Sequence, residues 1–386
     1  RDLAMIQIAD ITGVWGLTWL IVFANLMAVI IVRRMIGELG PTFLKRVRWE
    51  FSISMAIIVL VFSYGVRRLI RQETGPTVPL RVAAIQPNIP QVEKFDPLFE
   101  EKVIDTLDRL TGLAMLAQPA PQLVLWPEAS TPRPLYADEK TYQFVKGQGR
   151  RSEFALLVGS LDFDPGTSDD YNIAALFTDS GEKTQIYRKM HLVPFGEYLP
   201  LRAVFGGFLG EMVPGDFTAG REAKVLELTE PAVKLAPLVC FEDTLGELTN
   251  RFVRGGAQLL VNITNDGWFG TSPAAEQHLA NAIFRTVETR RPLVRCGNTG
   301  VTGSVDSFGR LVRVDQSAGR PTPQNTLPML RPFEEGFVSG ELQLPTDLAL
   351  TFYVRHGDWL PRLGAVVTGL ILVGHGWRGF RRRRAA

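Results

Sequence analysis

Residues 123–128 read Leu-Val-Leu-Trp-Pro-Glu, a short apolar run that a proline stops immediately before a carboxylate. Proline cannot donate to a strand ladder, so the run is expected to form a buried strand with Glu128 at its carboxyl end. Catalytic groups of α/β proteins gather at that end of the strands. Taken alone, however, a glutamate in this position is more often a surface acid.

Similar apolar runs lie on both sides of this stretch, mostly bounded by Pro, Gly or Asp. They predict strands at residues 80–86, 122–126, 155–160, 172–177, 235–240 and 258–263. Helical patterns lie between several of them, at residues 97–117, 244–253 and 273–290. This alternation predicts an α/β domain in which helices cover the sheets. Residues 162–170 and 322–332 are predicted to be loops.

Two further apolar segments end in reactive side chains. Residues 187–189 read Tyr-Arg-Lys and precede His-Leu-Val-Pro-Phe-Gly-Glu at 191–197. Residues 238–242 read Leu-Val-Cys-Phe-Glu, a strand that runs into a polar turn. A single lysine is usually solvated and a strand-end cysteine usually belongs to a core, so each segment alone also has an ordinary structural interpretation.

Charge-free segments flank the predicted domain. Residues 14–32 form a run of 19 residues without a charge, which is long enough to cross about 30 Å of hydrocarbon. Residues 51–66 and 360–377 are further candidate spans, the first of these slightly short. A buried core helix is the alternative interpretation of such segments.

The basic residues predict the orientation of these spans in the membrane, because Lys and Arg concentrate in cytoplasmic segments. The segments between the first two spans and after the third carry Arg33, Arg34, Lys45, Arg46 and Arg48, then Arg378 and residues 381–384. The intervening region is therefore expected on the opposite face, although Arg67, Arg68 and Arg71 argue weakly against this orientation. The predicted organisation is transmembrane helices at 1–74, a catalytic domain at 75–350, and a C-terminal helix with a basic cytoplasmic tail at 351–386.

The composition fits a globular domain joined to a few membrane helices, since 46% of the residues are hydrophobic. A net charge of +2 gives no reason to expect nucleic acid as a partner. Cys240 and Cys296 are the only cysteines, so no disulfide framework is expected. The four histidines lack metal-ligand spacing, and no metal ion is predicted. The chain begins at Arg1 without an initiator Met, which favours an N-terminally incomplete sequence.

Together these motifs resemble the nitrilase superfamily of carbon-nitrogen hydrolases. The resemblance rests on Trp-Pro-Glu at 126–128, Tyr-Arg-Lys-x-His-Leu-x-Pro-Phe-Gly-Glu at 187–197 and Cys-x-Glu at 240–242. Residues 262–270 and 288–300 also resemble family segments, so that roughly residues 80–310 are covered. The resemblance implies a four-layer αββα sandwich, here inserted between transmembrane helices. It also implies a catalytic triad, whose members are Glu128, Lys189 and Cys240.

Within that superfamily the chain looks most like the apolipoprotein N-acyltransferase branch. Pro-Phe-Gly-Glu-Tyr-Leu-Pro at 194–200 and Thr-Asn-Asp-Gly-Trp-Phe-Gly at 264–270 are similar to that branch, as are membrane spans on both sides of the domain. The branch has more N-terminal spans than this chain, in keeping with an incomplete sequence. Phe95 and Phe241 replace the Trp and Tyr that are common there, which keeps an aromatic ring but loses a hydrogen-bonding group.

The resemblance implies a two-step acyl transfer without a cofactor. Cys240 would take an acyl chain from a phospholipid, with phosphatidylethanolamine as the expected donor. The thioester would then pass the chain to the α-amine of the diacylglyceryl-cysteine of an apolipoprotein. Glu128 would act as general base and Lys189 would stabilise the oxyanion. The implied location is the bacterial inner membrane, as a multi-pass monomer whose catalytic domain faces the periplasm.

Further residues receive supporting roles from the same resemblance. Glu197 is expected to support Lys189 or the general base, with a structural ion pair as the alternative. A backbone N–H near Phe241 is expected to help Lys189 to stabilise the oxyanion, and Glu242 is a further supporting residue. Cys296 is expected in the core, and residues 203–213 are a candidate lid or an ordinary loop. The residues expected to contact substrate are Phe95, Trp126, Phe195, Trp268 and Phe269.

Two other functions remain open from the sequence. One is a membrane-tethered nitrilase-like amidase that uses water as the acceptor, and the flanking spans argue against it. The other is a catalytically inactive module that binds lipid or lipoprotein. Intact Glu128, Lys189 and Cys240 argue against that module.

Overall fold

The computed structural model describes residues 2–37, 43–71, 75–152, 154–178, 183–202, 216–311 and 329–384. The chain divides into two compact units. One is helical and comprises Arg1–Glu73 and Leu350–Ala386. The other is an α/β unit that comprises Thr74–Ala349.

The helical unit contains long apolar helices where the charge-free segments predict them. Its helices are α1 Leu3–Ile6, α2 Ala9–Thr12, α3 Val14–Gly37, α4 Phe43–Ile70, α9 Phe352–His356 and α10 Trp359–Arg384. Within the described residues, two stretches are long and apolar enough to cross a membrane, Val14–Arg34 and Trp49–Ile70. Only 6% of each is buried, which leaves their apolar surface for another apolar environment. The apolar part of α10, Trp359–His375, is shorter.

Two β-sheets form the centre of the α/β unit. The strands are β1 Thr77–Gln86, β2 Leu123–Trp126, β3 Ala155–Asp164, β4 Asp169–Thr178, β5 Lys183–Arg188, β6 Leu226–Leu228, β7 Val233–Val239, β8 Leu259–Thr264, β9 Leu293–Gly297, β10 Gly303–Val305 and β11 Gly336–Pro345. One sheet has the order β11-β1-β2-β3-β4-β5, with β1, β2 and β3 parallel. The other has the order β10-β9-β8-β7-β6, with β7, β8 and β9 parallel.

Helices cover the outer faces of both sheets. They are α5 Glu100–Met115 and α6 Glu139–Ser152 on the first sheet, then α7 Gly246–Arg254 and α8 Ala274–Thr289 on the side of the second. Side chains alternate along a strand, so one face of β1 and β2 packs against the helices and the other against the second sheet. At that sheet–sheet interface, the thiol of Cys296 donates to the carbonyls of Ile85 and Leu125. This is the predicted four-layer αββα sandwich, and Cys296 lies in its core.

All six predicted strands are present, although their ends differ from the prediction. The predicted loop at 162–170 is wrong, because β3 and β4 pair as far as Asp164 and Asp169 and form a hairpin with a short turn. Strand pairing satisfies the backbone of these polar residues, which composition alone does not indicate. The predicted loop at 322–332 lies largely outside the described residues.

Candidate active site

Three strand ends bring the predicted triad together. Glu128 lies just after β2, Lys189 directly follows β5, and Cys240 directly follows β7. Since β2 and β5 belong to one sheet and β7 to the other, the three side chains meet where the two sheets pack together.

Both carboxylate oxygens of Glu128 are held by hydrogen bonds. Oε1 accepts from Nδ2 of Asn172 at 2.8 Å, and Oε2 accepts from the backbone N–H of Asn265 at 3.0 Å. The backbone at Glu128 passes directly over Gly159 of β3, where any Cβ would collide with the carbonyl of Pro127. The close approach to Gly159 and the two hydrogen bonds therefore fix the position of the Glu128 carboxylate. Glu128 is only 7% exposed.

Lys189 is buried between two carboxylates. Its Nζ lies 2.9 Å from the carboxylate of Glu197 and 3.4 Å from that of Glu128. Burial acts to lower the pKa of this ammonium, but the negative charges around it, first that of Glu128, outweigh the effect and raise the pKa. Lys189 therefore remains cationic at neutral pH.

Cys240 occupies a strained turn. Its backbone φ is +56°, in the left-handed region that costs a non-glycine residue about 1–3 kcal/mol. It starts the 3₁₀ turn Cys240–Thr244, and Nδ2 of Asn262 donates to its carbonyl at 2.9 Å. This geometry presents the side chain at the end of a strand, as in the nucleophile elbows of hydrolases.

The thiol of Cys240 is not an ion in the resting site. Burial and the nearby charge of Glu128 raise its pKa, against the opposing effect of Lys189. The residue is nevertheless partly exposed, whereas Cys296 is fully buried. A reaction at Cys240 therefore needs a base that removes the proton as the new bond forms.

Glu242 ties the Cys240 turn to the chain around Lys189. Its Oε1 accepts from the hydroxyl of Tyr187 at 2.9 Å and from the backbone N–H groups of Met190 and His191 at 2.8 and 3.1 Å. Its Oε2 accepts from the N–H of Val239 at 2.9 Å. Burial raises the pKa of this carboxyl to about 7. Glu242 thus connects two of the three triad segments without reaching into the site itself.

Glu197 stands beside Lys189 and is held in a similar way. Its carboxylate accepts from Nδ2 of Asn172 at 2.9 Å and from the backbone N–H of Val193 at 2.8 Å. The side chain is 13% exposed, more than that of Glu128. One amide, that of Asn172, therefore bridges the two carboxylates that flank the lysine.

Asn172 and Lys94 are site residues that the sequence interpretation missed. Asn172 is a polar residue inside the apolar strand β4, and a buried amide in such a strand is a signal of a partner. Lys94 is 1% exposed, and its Nζ donates to the backbone carbonyl of Glu128 at 2.7 Å. Its signal was the Gln-x-x-Lys pattern at 91–94, which the sequence interpretation used only to place Phe95. Glu128, Glu197, Lys189 and Lys94 are called the reaction cluster below.

The predicted aromatic residues separate into two groups. Phe95, Phe195, Trp268 and Phe269 are exposed. Phe241 is partly exposed, and its ring centre lies 5.7 Å from Nζ of Lys189. These exposed side chains are available for contact with an apolar substrate.

Trp126 is different, and its predicted contact with substrate is wrong for this structure. The side chain has no exposed surface, and it packs in the apolar cluster between the first sheet and its helices. Its indole N–H donates to Thr111 of α5 at 3.0 Å. Alternation along β2 explains the error, because Trp126 points to the helix layer on the side away from the second sheet.

A second buried ionic cluster lies behind the nucleophile turn. The guanidinium of Arg295 contacts the carboxylates of Asp243 and Asp266 at 2.7 and 2.9 Å. The imidazole of His278 lies between the same carboxylates, at 2.8 Å from Asp243 and 3.0 Å from Asp266. Asp243, Asp266, His278 and Arg295 are called the support cluster below.

The support cluster joins two turns of the site. Asp243 belongs to the Cys240–Thr244 turn, and Asp266 begins the turn Asp266–Phe269 that carries two of the exposed aromatics. Burial and the charge of Arg295 act to lower the pKa of His278, but the contacts with the aspartates outweigh them and raise it. Neither turn can move far without breaking these contacts.

Other predictions concern metals and a lid. Among the described residues, no group of His, Cys, Asp or Glu side chains is arranged to hold a metal ion. The candidate lid at 203–213 lies outside the described residues.

Comparison with known proteins assigns the chain and its fold to a family. The carbon-nitrogen hydrolase family model matches residues 81–326. Nit3 of Saccharomyces cerevisiae, a member of the nitrilase superfamily, has a TM-score of 0.50 at 16% identity and covers 69% of this chain and 90% of its own. A carbon-nitrogen hydrolase from Helicobacter pylori G27 has a TM-score of 0.51 at 16% identity, over 72% of this chain and 93% of its own. The chain thus belongs to the carbon-nitrogen hydrolase family, and its α/β unit has the fold of these two structures.

Comparison with individual relatives identifies the branch of this family to which the chain belongs. Apolipoprotein N-acyltransferase of Geobacter metallireducens is 37% identical over 380 residues, which is 96% of this chain and 68% of the relative. The protein of the same name from Methylococcus capsulatus is 33% identical over 394 residues, 100% of this chain and 68% of the relative. The chain belongs to the apolipoprotein N-acyltransferase family and is an acyltransferase enzyme.

Proposed function

We propose that the chain transfers an acyl chain from a phospholipid, with phosphatidylethanolamine as donor, to the N-terminal amine of diacylglyceryl-cysteine in apolipoproteins. The names of its relatives and the apolar helices α3 and α4 support these lipid substrates. The observation that carries the mechanism is the meeting of a strained cysteine, a fixed carboxylate and a buried ammonium at one junction. Glu128, Lys189 and Cys240 are the proposed catalytic residues.

The first step forms a thioester. Glu128 takes the proton of the Cys240 thiol while sulfur attacks the ester carbonyl carbon of the phospholipid. The carbonyl oxygen becomes an oxyanion, which the ammonium of Lys189 stabilises with the N–H that its two carboxylate partners do not use. The ester C–O bond then breaks, and the departing alcohol of the lysophospholipid receives the proton from Glu128.

The second step transfers the acyl chain to the amine. The neutral α-amine attacks the thioester carbonyl, Glu128 takes a proton from nitrogen, and the C–S bond breaks. Sulfur recovers the proton, which restores the thiol. The sum is ester plus amine giving amide plus alcohol, so the reaction needs no cofactor and no external oxidant or reductant.

Glu197, Glu242 and the exposed aromatics complete the proposed site. Glu197 holds Lys189 in place and shares Asn172 with the base, while Glu242 positions the nucleophile turn. Phe95, Phe195, Trp268 and Phe269 are proposed to contact the acyl chains, together with Phe241. Such contacts favour a site from which water, the competing acceptor, is partly excluded.

A covalent-intermediate assay tests the proposal with the two cysteines as a matched pair. The detergent-solubilised chain is incubated with a phospholipid that carries a fluorescent acyl chain. We expect a labelled enzyme band that hydroxylamine removes, and transfer of the label to a diacylglyceryl lipopeptide. Cys240→Ser should abolish the band, whereas Cys296→Ser should keep at least half of the activity because Cys296 lies in the core.

The alternatives give other results in the same assay. A label that only water discharges, with no lipopeptide product, would identify a hydrolase. An enzyme that takes up no label would identify a catalytically inactive module that binds lipid or lipoprotein. A label that survives Cys240→Ser but not Cys296→Ser would refute the proposed nucleophile.

We also propose that the α/β unit faces the periplasm and that α3, α4 and α10 cross the inner membrane. The basic residues at the C-terminal end of α3, at the N-terminal end of α4 and at the C-terminal end of α10 support this orientation. In a background without the two native cysteines, Thr167→Cys in the β3–β4 turn should react with an impermeant maleimide on spheroplasts. Glu38→Cys, between α3 and α4, should react only after the membrane is permeabilised, and equal labelling of both would overturn the orientation.

A further inference from the structure

Lys94 is a buried ammonium at the reaction centre to which the proposed mechanism gives no role. It lies in the segment of residues 87–96 that follows β1, and it is 1% exposed. Its Nζ donates to the backbone carbonyl of Glu128 at 2.7 Å, and the Phe95 ring centre lies 5.9 Å from the same nitrogen. Burying a lysine costs several kcal/mol unless other charges or hydrogen bonds compensate, so the position needs an explanation.

Anchoring of the loop does not supply that explanation. The same segment is already held at Ile89, whose N–H and carbonyl bond the side chain of Asn298 at 3.0 and 2.8 Å. It is held again at Gln91, whose Oε1 accepts from Nδ2 of Asn265 at 2.7 Å. The loop thus has two anchors on the N-terminal side of Lys94 that do not involve this lysine.

Charge balance gives Lys94 a role. Glu128 and Glu197 bring two negative charges into the site, and Lys189 brings one positive charge that both share. Lys94 supplies the second positive charge, so the resting site is neutral while Cys240 is a thiol. Without Lys94, these groups would carry one excess negative charge in a buried site throughout the transfer of the proton from Cys240 to Glu128.

We propose that Lys94 is a second cationic positioning residue of the acyl-transfer site, which holds the backbone of the general base and stabilises the negative charge that develops at Cys240. The proposal rests on the mechanism above. Lys94 acts through Glu128 and Cys240, whereas Lys189 contacts the oxyanion. Lys94 thus serves the general base and the sulfur atom, and Lys189 serves the carbonyl oxygen of the substrate.

The ionisation of Lys94 agrees with this role. Burial lowers its pKa to about 8, while the charges of Glu128 and Cys240 oppose the shift. The ammonium is therefore charged at pH 7 and loses its proton as the pH rises through about 8. Its contribution is present below that pH and is lost above it, in a site where Lys189 stays charged throughout.

Alkylation of Cys240 tests the proposal independently of any lipid substrate. In a Cys296→Ser background, the rate of reaction with iodoacetamide is measured from pH 6 to 10 and reports the ionisation of the Cys240 thiol. Lys94→Met and Lys94→Gln should slow alkylation at pH 7 about tenfold, the factor for one pKa unit, and this difference from the parent should fade as the pH rises through about 8. Lys94→Arg should remain within about twofold of the parent. Lys102→Met, at an exposed lysine on α5, is the matched control and should have no effect.

The neutral variants separate charge from hydrogen bonding. Lys94→Gln keeps a donor without the charge, so full recovery by Gln would show that only a hydrogen bond to Glu128 matters and would overturn the proposal. An unchanged alkylation profile in Lys94→Met would overturn it as well. If Lys94→Met fails to fold, judged by its thermal unfolding, the comparison of Gln with Arg decides the question. A shifted alkylation profile in a chain that forms no thioester with phospholipid would retain Lys94 and reject the proposed function.

Discussion

The two buried ionic clusters of the α/β unit are built from similar charges but in different ways. In the support cluster, a planar guanidinium contacts both aspartates at 2.7 and 2.9 Å, and an imidazole fills the space between them. In the reaction cluster, the ammonium of Lys189 lies closer to Glu197 than to Glu128, at 2.9 against 3.4 Å. An arginine fork fixes its partners, whereas a lysine is a point charge on a flexible stem that can exchange them. The rigid pairing of Arg295 therefore holds the two turns in place. The less tightly paired charge of Lys189 can instead adjust during the reaction.

The largest effect should come from removing the central cation of each cluster. Arg295→Met leaves two aspartates buried with His278 alone, which should cost about 3–5 kcal/mol of stability. Lys189→Met should cost less stability, because Asn172 and backbone N–H groups still solvate its carboxylates, but should slow thioester formation at least ~10³-fold. Thermal unfolding and the fluorescent acyl-enzyme assay measure the two losses side by side. If both variants lost the same amount of stability, the proposed difference between a structural Arg295 and a catalytic Lys189 would be wrong.

A smaller effect is expected from the amide that bridges the carboxylates of the reaction cluster. Asn172→Ala removes hydrogen bonds to two charged groups, each worth about 1.5–3 kcal/mol, and frees the base to reorient. The rate of thioester formation should fall about 10- to 100-fold, since 1.36 kcal/mol of barrier is a factor of ten. Gln185→Ala, at a side-chain amide on β5 that bonds Glu227, is the control and should leave the rate unchanged. A full rate in Asn172→Ala would show that Glu128 needs no help from that amide.

The smallest effect concerns the pH dependence of stability in the support cluster. The pKa of His278 is raised above 6.5 because Asp243 and Asp266 outweigh burial and the charge of Arg295. The native state therefore holds this proton longer than the unfolded chain, and stability falls as the pH rises from 6.5 through the native pKa. Glu242 contributes a similar fall in a lower window, between 4.5 and about 7. His278→Gln should flatten the upper part of the curve alone, and a slope that persists above pH 7 would assign it to another group.

Much of the fold could be predicted because apolar runs with clear stops encode buried strands. The strands that carry Glu128 and Cys240 were found in this way. Of those that were missed, β5, β6, β10 and β11 lie at the edges of the sheets: β5 reads Lys-Thr-Gln-Ile-Tyr-Arg, and β11 mixes polar residues and glycine. Edge strands of this kind are partly solvated, so they lack the apolar signature of a central strand. The exception is β9, a buried inner strand whose short apolar run Arg295 interrupts.

The reactive groups of the site could be predicted from the sequence, whereas the residues that position them could not. Glu128, Lys189 and Cys240 carry local motifs, and the structure brings all three together, although their roles stay proposals. Lys94 belongs to a Gln-x-x-Lys pattern that was used only to place Phe95, and Asn172 has no motif of its own. The burial of both residues follows from packing between distant segments. Trp126 shows the opposite error: it is the last residue of β2 and faces the helix layer, whereas Glu128 lies beyond the end of that strand, after Pro127.

The left-handed backbone at Cys240 has an evolutionary consequence. A position with φ near +56° accepts glycine without strain and penalises branched side chains most. Selection for stability alone would therefore replace this cysteine by glycine, and only the need for a nucleophile keeps a thiol in the turn. A descendant that lost its activity should drift toward glycine here, away from threonine, and become more stable as it does so.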